Sequence, residues 1–203
     1  MSKYISTKTY EIINDIDFFE VDDDIAETIS ILNKKGYITN ACCSGHHNGF
    51  CYKFEADISL LDETNAQIII TPHLLEMSRL TGIKVGEIKE NKYDIARDFS
   101  KEHGVVVVLK DARTIVSNGE PQAYINITGN NGMATGGSGD VLSGIIAGLV
   151  GQDVEPFEAA KVGVCMHGLA GQEAAISKGR YSMIASDIVR SITKVLEGDY
   201  YVN

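Results

Sequence analysis

The sequence predicts an α/β protein, a layered sheet with flanking helices preceded by a small α+β segment. Three observations carry this expectation. "AQIIIT" (Ala66 to Thr71) and "VVVVLK" (Val105 to Lys110) are continuous apolar runs of strand length, the pattern of strands covered on both faces. Helix-patterned stretches lie between and after them, as a layered α/β domain requires. A glycine-rich turn ending "GGSGD" (Gly136 to Asp140) then runs directly into the apolar stretch "VLSGIIAGLV".

The elements follow in order. Asp24 to Lys35 reads as a helix, with Ile25, Ile29, Ile31 and Leu32 roughly on one side and Asp22 to Asp24 at its positive N-terminal end. Gly36 can stop it. Tyr37 to Ala41 and Phe50 to Phe54 suit a short antiparallel pair. After the strand Ala66 to Thr71 and Pro72, "LLEMSRLTG" reads as a short helix closed by Gly82. Ile88 to His103 is one amphipathic helix, with Ile95, Ala96 and Phe99 on its apolar face. Val105 to Lys110 is the second buried strand. Thr114 to Ser117 and Ala123 to Ile127 form a hairpin across "NGEP". Three helices close the chain: Gly139 to Val150, Pro156 to Lys178, and Ser186 to Leu196. Pro156 suits a first helical turn, and Ser186 and Asp187 suit the start of the last helix.

Composition narrows the function classes. A chain of 203 residues, 44% hydrophobic and 23% charged, can bury a core. Its net charge of −10 disfavours a broad nucleic-acid surface, because phosphate is repelled. No apolar run reaches about 18 residues, so no membrane span is expected. The opening "MSKYISTKTYEIIND" has no apolar secretion block, and four cysteines make no disulfide framework. Reduced thiols in a cytoplasm are the expectation.

The glycine-rich turn has a physical purpose. A helix N-terminus leaves backbone N–H groups unpaired and carries partial positive charge. Glycines before it let backbone approach a ligand closely, and the combination cradles anions, phosphate above all. Gly136, Gly137 and Gly139 supply the turn. Gly144 and Gly148 are spaced for close packing of the helix against a neighbour. Asp140 at the cradle's mouth would repel phosphate, so it needs a purpose. A local one is its interaction with the helix dipole, worth roughly 0.3–1 kcal/mol. A larger one is service as the base that takes a proton from a hydroxyl attacking a phosphoryl group. The Gly-Lys-Ser/Thr ending of a Walker loop does not occur.

With these residues in view, "NITGNNGMATGGSGDVLSGIIAGL" resembles the signature of the ADP- or ATP-dependent NAD(P)H-hydrate dehydratases, of the ribokinase-like superfamily. "IIITPHLLEMSRLTG", "VVVVLKDARTIVSNGE" and "ASDIVRSI" resemble further family segments in the right order, so the likeness runs from about Asp57 to Glu197. It implies an incomplete ribokinase-like sheet and a specific reaction. The hydroxyl of hydrated NADH or NADPH is phosphorylated by ADP or ATP with Mg²⁺, and phosphate then leaves to restore the ring double bond. By resemblance, Asp140 is the catalytic base and also contacts the hydrate. His73 touches the hydrated nicotinamide. Lys110, Asp111, Ala112, Arg113 and Thr114 form the turn that holds the nucleotide, and Gly139 contacts it. Gly136, Gly137, Ser138 and Gly139 form the anion hole. Asn130 and Met133 have a supporting role. Taken without the other motifs, His73 reads as a helix-capping histidine and Lys110 as a solvated charge ending a strand.

The sequence departs from the family in two places. Asp111 stands where the family has glycine. A carboxylate there suits nucleotide phosphates only if it points away or binds Mg²⁺, with Arg113 as an offsetting charge. The family's N-terminal half is also not recognisable in Met1 to Ala56. The expected division is therefore residues 1–56, a small acidic segment, and 57–203, a partial dehydratase domain. A second chain completing the sheet, hence a homo-oligomer, is one way to cover the open edge. In the first segment, Cys42, Cys43, His46, His47 and Cys51 have the chemistry of zinc ligands without a paired Cys-x-x-Cys framework. A buried thiol pair beside a polar turn is the preferred account, and no metal site is assigned. Cys165 and His167 read as core or helix-packing residues. The alternatives to an active dehydratase are a non-catalytic nucleotide-binding remnant and a small Cys/His metal-binding module.

Overall fold

A computed structural model of the chain describes residues 67–198. These lie in the second of the chain's two units, Glu55–Asn203. The helix, the strand pair and the Cys/His cluster expected before Ala56 lie outside the described residues.

β1 (Ile69–Ile70) leads through α1 (Leu74–Thr81), α2 (Val85–Glu90) and α3 (Lys92–His103) to β2 (Val106–Leu109). Parallel strands need a long crossover, and helices supply it here. Ile69 stands opposite Val106 and Ile70 opposite Val107. β3 (Ile115–Ser117) returns antiparallel to β2, and β4 (Tyr124–Ile125) is antiparallel to β3. The sheet order is β1-β2-β3-β4, with the expected hairpin joining the last two. A 3₁₀ turn at Asn131–Met133 precedes α4 (Ser138–Val150), α5 (Pro156–Lys178) and α6 (Ala185–Glu197).

The four residues of β2 are buried throughout, so both of its faces are covered. Successive side chains alternate between faces. Val107 and Leu109 join Met77, Ile88, Ala96, Phe99 and Ile115 in one core, beneath α1 to α3. Each of the larger of these side chains, fully buried, contributes about 1.5–3 kcal/mol. α5 packs against β2 and β3 and also meets α4 and α6. A second core of Ala170, Ala174, Met183 and Ile188 lies between α5 and α6. The result is helix, sheet, helix in layers.

Three expectations are corrected. β1 is short and half-buried rather than fully buried, and it stands at the edge of the sheet among the described residues. The helix expected over Ile88 to His103 is two helices. Asn91 adopts φ −122°, its N–H closing α2 on the carbonyls of Glu87 and Ile88 while its own carbonyl accepts the first bond of α3 from Ile95. Among the described residues Gly144 and Gly148 do not make the close contact, since a Cβ at either would meet none of them within 4 Å. The tight approach is made from α5 instead: a Cβ at Gly163 would fall 2.6 Å from Ile146 Cγ1 of α4, and one at Gly168 only 1.9 Å from Thr128 Oγ1.

Candidate active site

The C-terminal ends of β1 and β2 and the N-termini of α1 and α4 meet at one place. Crevices outside the carboxyl ends of strands are where open α/β sheets bind ligands. The strand pairing continues past the strands. The Lys110 amide donates to the Pro72 carbonyl at 2.7 Å, and His73 and Lys110 form a parallel bridge. At the first strand's end Thr71 Oγ1 lies 3.2 Å from Ser143 Oγ of α4.

His73 is the N-cap of α1. Its Nδ1 accepts from the Glu76 amide at 3.1 Å, and the Glu76 carboxylate accepts from the His73 amide at 2.6 Å. This reciprocal pair is a capping box, which the His-x-x-Glu spacing suits. The ring remains 49% exposed, so capping leaves it accessible. Glu76 also lies 3.7 Å from Lys110 Nζ.

α4 opens on Gly137, whose φ of +83° is the left-handed conformation that glycine adopts without strain. As a glycine it offers no capping side chain, and among the described residues no side chain bonds the first amides of this helix, although the Ser138 amide donates to the Thr135 carbonyl at 3.3 Å. Ser138 sends its hydroxyl to His167 Nε2 of α5, at 3.3 Å, and Gly136 is open to its surroundings. Lys110 Nζ stands beside Gly139, 3.2 Å from where a Cβ there would lie. Lys110 is therefore drawn back over the turn, with only 25% of its side chain exposed.

Asp140 sits in the first turn of α4. Partial loss of solvent raises its carboxyl above the usual carboxylate range; Lys110 opposes the rise and Glu76 adds to it. His167 is half-buried, and burial lowers its imidazole to about 4, with Lys110 pushing the same way and the Ser138 backbone opposing. The ring is neutral at pH 7.

The Lys110 to Thr114 turn divides its residues. Thr114 is buried and its hydroxyl donates to the Asp111 carbonyl, while Ala112 and Arg113 are exposed. Asp111 turns toward Lys92 of α3, which donates to its carboxylate at 2.6 Å. Burial raises the Asp111 pKa, but Lys92, the Ala112 amide and Lys89 outweigh it and hold it below its ordinary value. Lys92, not Arg113, is thus the compensating charge, because the Arg113 guanidinium bonds the Ala112 carbonyl. Asn130 donates to the Gly171 carbonyl at 2.8 Å and accepts from the Gly132 amide, tying the loop before the cradle to α5.

Sequence reasoning gave Glu76 no role and read His167 as a core or helix-packing residue, without its contact to Ser138. The capping-box spacing was a usable signal for Glu76. His167 stands 29 positions from Ser138, and nothing local reveals that contact. Among the described residues no three His, Cys, Asp or Glu groups converge as a metal site, and no helix is long and apolar enough to cross a membrane. The geometry brings the first turn of α4, a cation and a carboxylate of raised pKa together, a set suited to phosphoryl transfer.

Known proteins resemble the chain over the same stretch. The family model for NAD(P)H-hydrate dehydratases matches residues 51–194. A bifunctional NAD(P)H-hydrate repair enzyme of Moorella thermoacetica is 45% identical over 140 residues, covering 69% of this chain and 26% of that protein. An ADP-dependent (S)-NAD(P)H-hydrate dehydratase of Neisseria meningitidis is 41% identical over 112 residues, covering 55% of this chain and 38% of that protein. The ADP/ATP-dependent NAD(P)H-hydrate dehydratase of Bacillus subtilis, crystallised with ATP and Mg²⁺, superposes with a TM-score of 0.62 at 27% identity, covering 64% of this chain and 47% of that one. The chain thus spans about a quarter of the bifunctional relative's length and about half of the solved one. Its ribokinase-like fold and its family match over most of its length agree: this chain belongs to the NAD(P)H-hydrate dehydratase family.

Proposed function

We propose that the chain repairs hydrated NADH and NADPH, using ADP or ATP to phosphorylate the hydrate and then eliminating phosphate. The observation that carries this is the uncapped start of α4, with Asp140 in its first turn and Lys110 beside Gly139. The residues fit an anionic nucleotide: among the described residues no side chain accepts from the Gly139 and Asp140 amides that open α4, and Lys110 adds a cation. Asp140 takes the proton from the hydrate hydroxyl as its oxygen attacks the terminal phosphoryl group. Gly136, Gly137, Ser138 and Gly139 line the hole where charge gathers on that group, and Lys110 neutralises part of it. Mg²⁺, bound with the nucleotide phosphates, would screen their charge. The shortened nucleotide departs. The new phosphate ester then breaks at its carbon–oxygen bond, the neighbouring ring carbon loses a proton, and the double bond re-forms. His73, whose ring stays half exposed, contacts the nicotinamide in this reading. The turn of Lys110, Asp111, Ala112, Arg113 and Thr114 lies along the nucleotide, with the Asp111 carboxylate directed to Lys92.

The test is recovery of reduced-nicotinamide absorbance when the purified chain is incubated with hydrated NADH, Mg²⁺ and ADP or ATP. Recovery is expected. Nucleotide binding without recovery would favour the non-catalytic alternative. A cytoplasmic location and a homo-oligomer belong to the same proposal. β1, partly covered among the described residues, is the border along which a second chain would add. Size-exclusion chromatography with light scattering measures that.

A further inference from the structure

Thr71 follows β1 directly and precedes Pro72. Ile68 and Ile70 pack on the core beneath α1 to α3, and Pro72 is buried in step with them. Side chains alternate along a strand, so Thr71 and His73 belong to the opposite face, the one that meets α4 at Ser143. His73 keeps an extended backbone, with φ −82° and ψ 173°, and a residue before proline is driven extended as well. The two residues therefore stand roughly 7 Å apart along one line of backbone.

Their hydrogen-bonding senses are fixed by their neighbours. Ser143 Oγ donates to the Gly139 carbonyl at 3.2 Å, which uses its one proton. Thr71 Oγ1, 3.2 Å from Ser143 Oγ, is then the donor in the arrangement that satisfies both contacts. Its lone pairs are left to accept, and among the described residues no group donates to them. On His73 the Glu76 amide donates to Nδ1 at 3.1 Å, so the uncharged ring carries its hydrogen on Nε2, where Glu76 Oε1 at 3.3 Å favours it. One face thus offers an acceptor and a donor side by side. Ser143 is exposed one turn beyond Asp140, on the same side of α4.

We propose that Thr71 is a specificity-determining residue: its Oγ1 accepts from the N–H of the nicotinamide carboxamide, while His73 Nε2–H donates to the carboxamide oxygen. This rests on the hydrate-repair reading and deepens it. A primary carboxamide carries an acceptor oxygen and a donor nitrogen on one carbon, the complement of this pair. Hydrogen bonds of about 2.9 Å on its oxygen and its nitrogen bridge a gap of that order. A ketone in its place offers Thr71 no N–H, and a carboxylate sets lone pairs against lone pairs.

The test uses the full chain with ADP, Mg²⁺ and two hydrates, that of NADH and that of the reduced dinucleotide whose ring bears acetyl in place of carboxamide. The acetyl group keeps the oxygen and lacks the N–H. Wild type is expected to prefer the carboxamide in kcat/KM by about tenfold, the effect of one neutral hydrogen bond lost with its partner left unmet. Thr71→Val keeps the shape without the acceptor and should bring the ratio of the two constants near one, and Thr71→Ser should restore it. Thr71→Ala replaces the valine variant if that one does not fold. A purely structural role would lower both constants and leave their ratio where it was. A wild-type ratio near one, or a ratio unmoved by Thr71→Val, overturns the proposal. A wild-type chain that turns over neither hydrate ends the repair reading instead, and calorimetric binding of the same two hydrates to wild type and Thr71→Val then decides the carboxamide contact by the same ratio.

Discussion

Lys110 Nζ lies 3.7 Å from the Glu76 carboxylate, and these two opposite charges both act on Asp140. One comes from the end of β2 and the other from the first turn of α1. They pull the Asp140 carboxyl in opposite directions, with Lys110 lowering its pKa and Glu76 raising it. The proposed base therefore has its basicity adjusted by a neighbouring pair as well as by burial.

Asp140→Asn is expected to lower turnover by about 10²–10⁴-fold, the usual range for losing a general base. Nucleotide affinity should change little, because the amides of α4 remain. Steady-state rates and ADP titration of the same preparation check both halves. A fully active variant would show that the base lies elsewhere.

The acid limb of the rate profile should fall above the ordinary aspartate value of about 3.9, since Asp140 must be ionised to accept a proton and its pKa is raised. Removing Glu76 with Glu76→Gln should move that limb to lower pH. Lys110→Met should move it to higher pH, besides weakening nucleotide binding. Rates of each variant between pH 4 and 8 decide the signs.

His167 predicts acid sensitivity of the fold. Its folded pKa of about 4 lies below an unfolded value near 6.5. The stabilisation from keeping it neutral is thus complete above pH 6.5 and is lost as pH falls toward 4, amounting to on the order of 3 kcal/mol. His167→Gln should flatten that part of the Tm-against-pH curve. A curve identical to wild type would contradict the burial argument.

The Lys92–Asp111 pair acts in a lower window. The Asp111 pKa is depressed, so its contribution is present above about pH 3.9 and fades as pH falls through the folded value. Asp111→Asn should cost roughly 1 kcal/mol or less at pH 7, because the pair is partly exposed. Urea unfolding at pH 7 and at pH 3 should show the difference from wild type shrinking in acid.

Glycines on the two packed helices should respond oppositely to alanine. Gly168→Ala places a methyl in the space of Thr128 and should destabilise by about 1–3 kcal/mol or more. Gly148→Ala, in open space within a helix, should stabilise by up to about 1 kcal/mol. Thermal melts of the two variants test the corrected packing directly.

Much of the fold was legible because local chemistry dictates it. Four consecutive apolar residues at Val106 to Leu109 require cover on both faces, and they have it. Pro156 and Gly179 bracket α5 as a helix-starting and a helix-ending residue should. What stayed hidden depends on which distant surfaces meet. The Gly144 and Gly148 spacing was visible, but which face of α4 turns toward α5 was not. Asp111 showed its charge in the sequence, whereas its partner Lys92 lies across a helix-to-strand connection, 19 positions away. The break at Asn91 was concealed by an apolar pattern that runs through both α2 and α3.

The bond between the Pro72 carbonyl and the Lys110 amide sets a dimension of the proposed site. It couples the backbone beside His73 to the backbone of Lys110, so the imidazole and the ammonium ride on a single rung of one ladder. Sliding either strand end along the other would displace both groups at once. If His73 meets the ring and Lys110 the phosphate, as proposed, the spacing between those two sides is a gauge cut into the sheet.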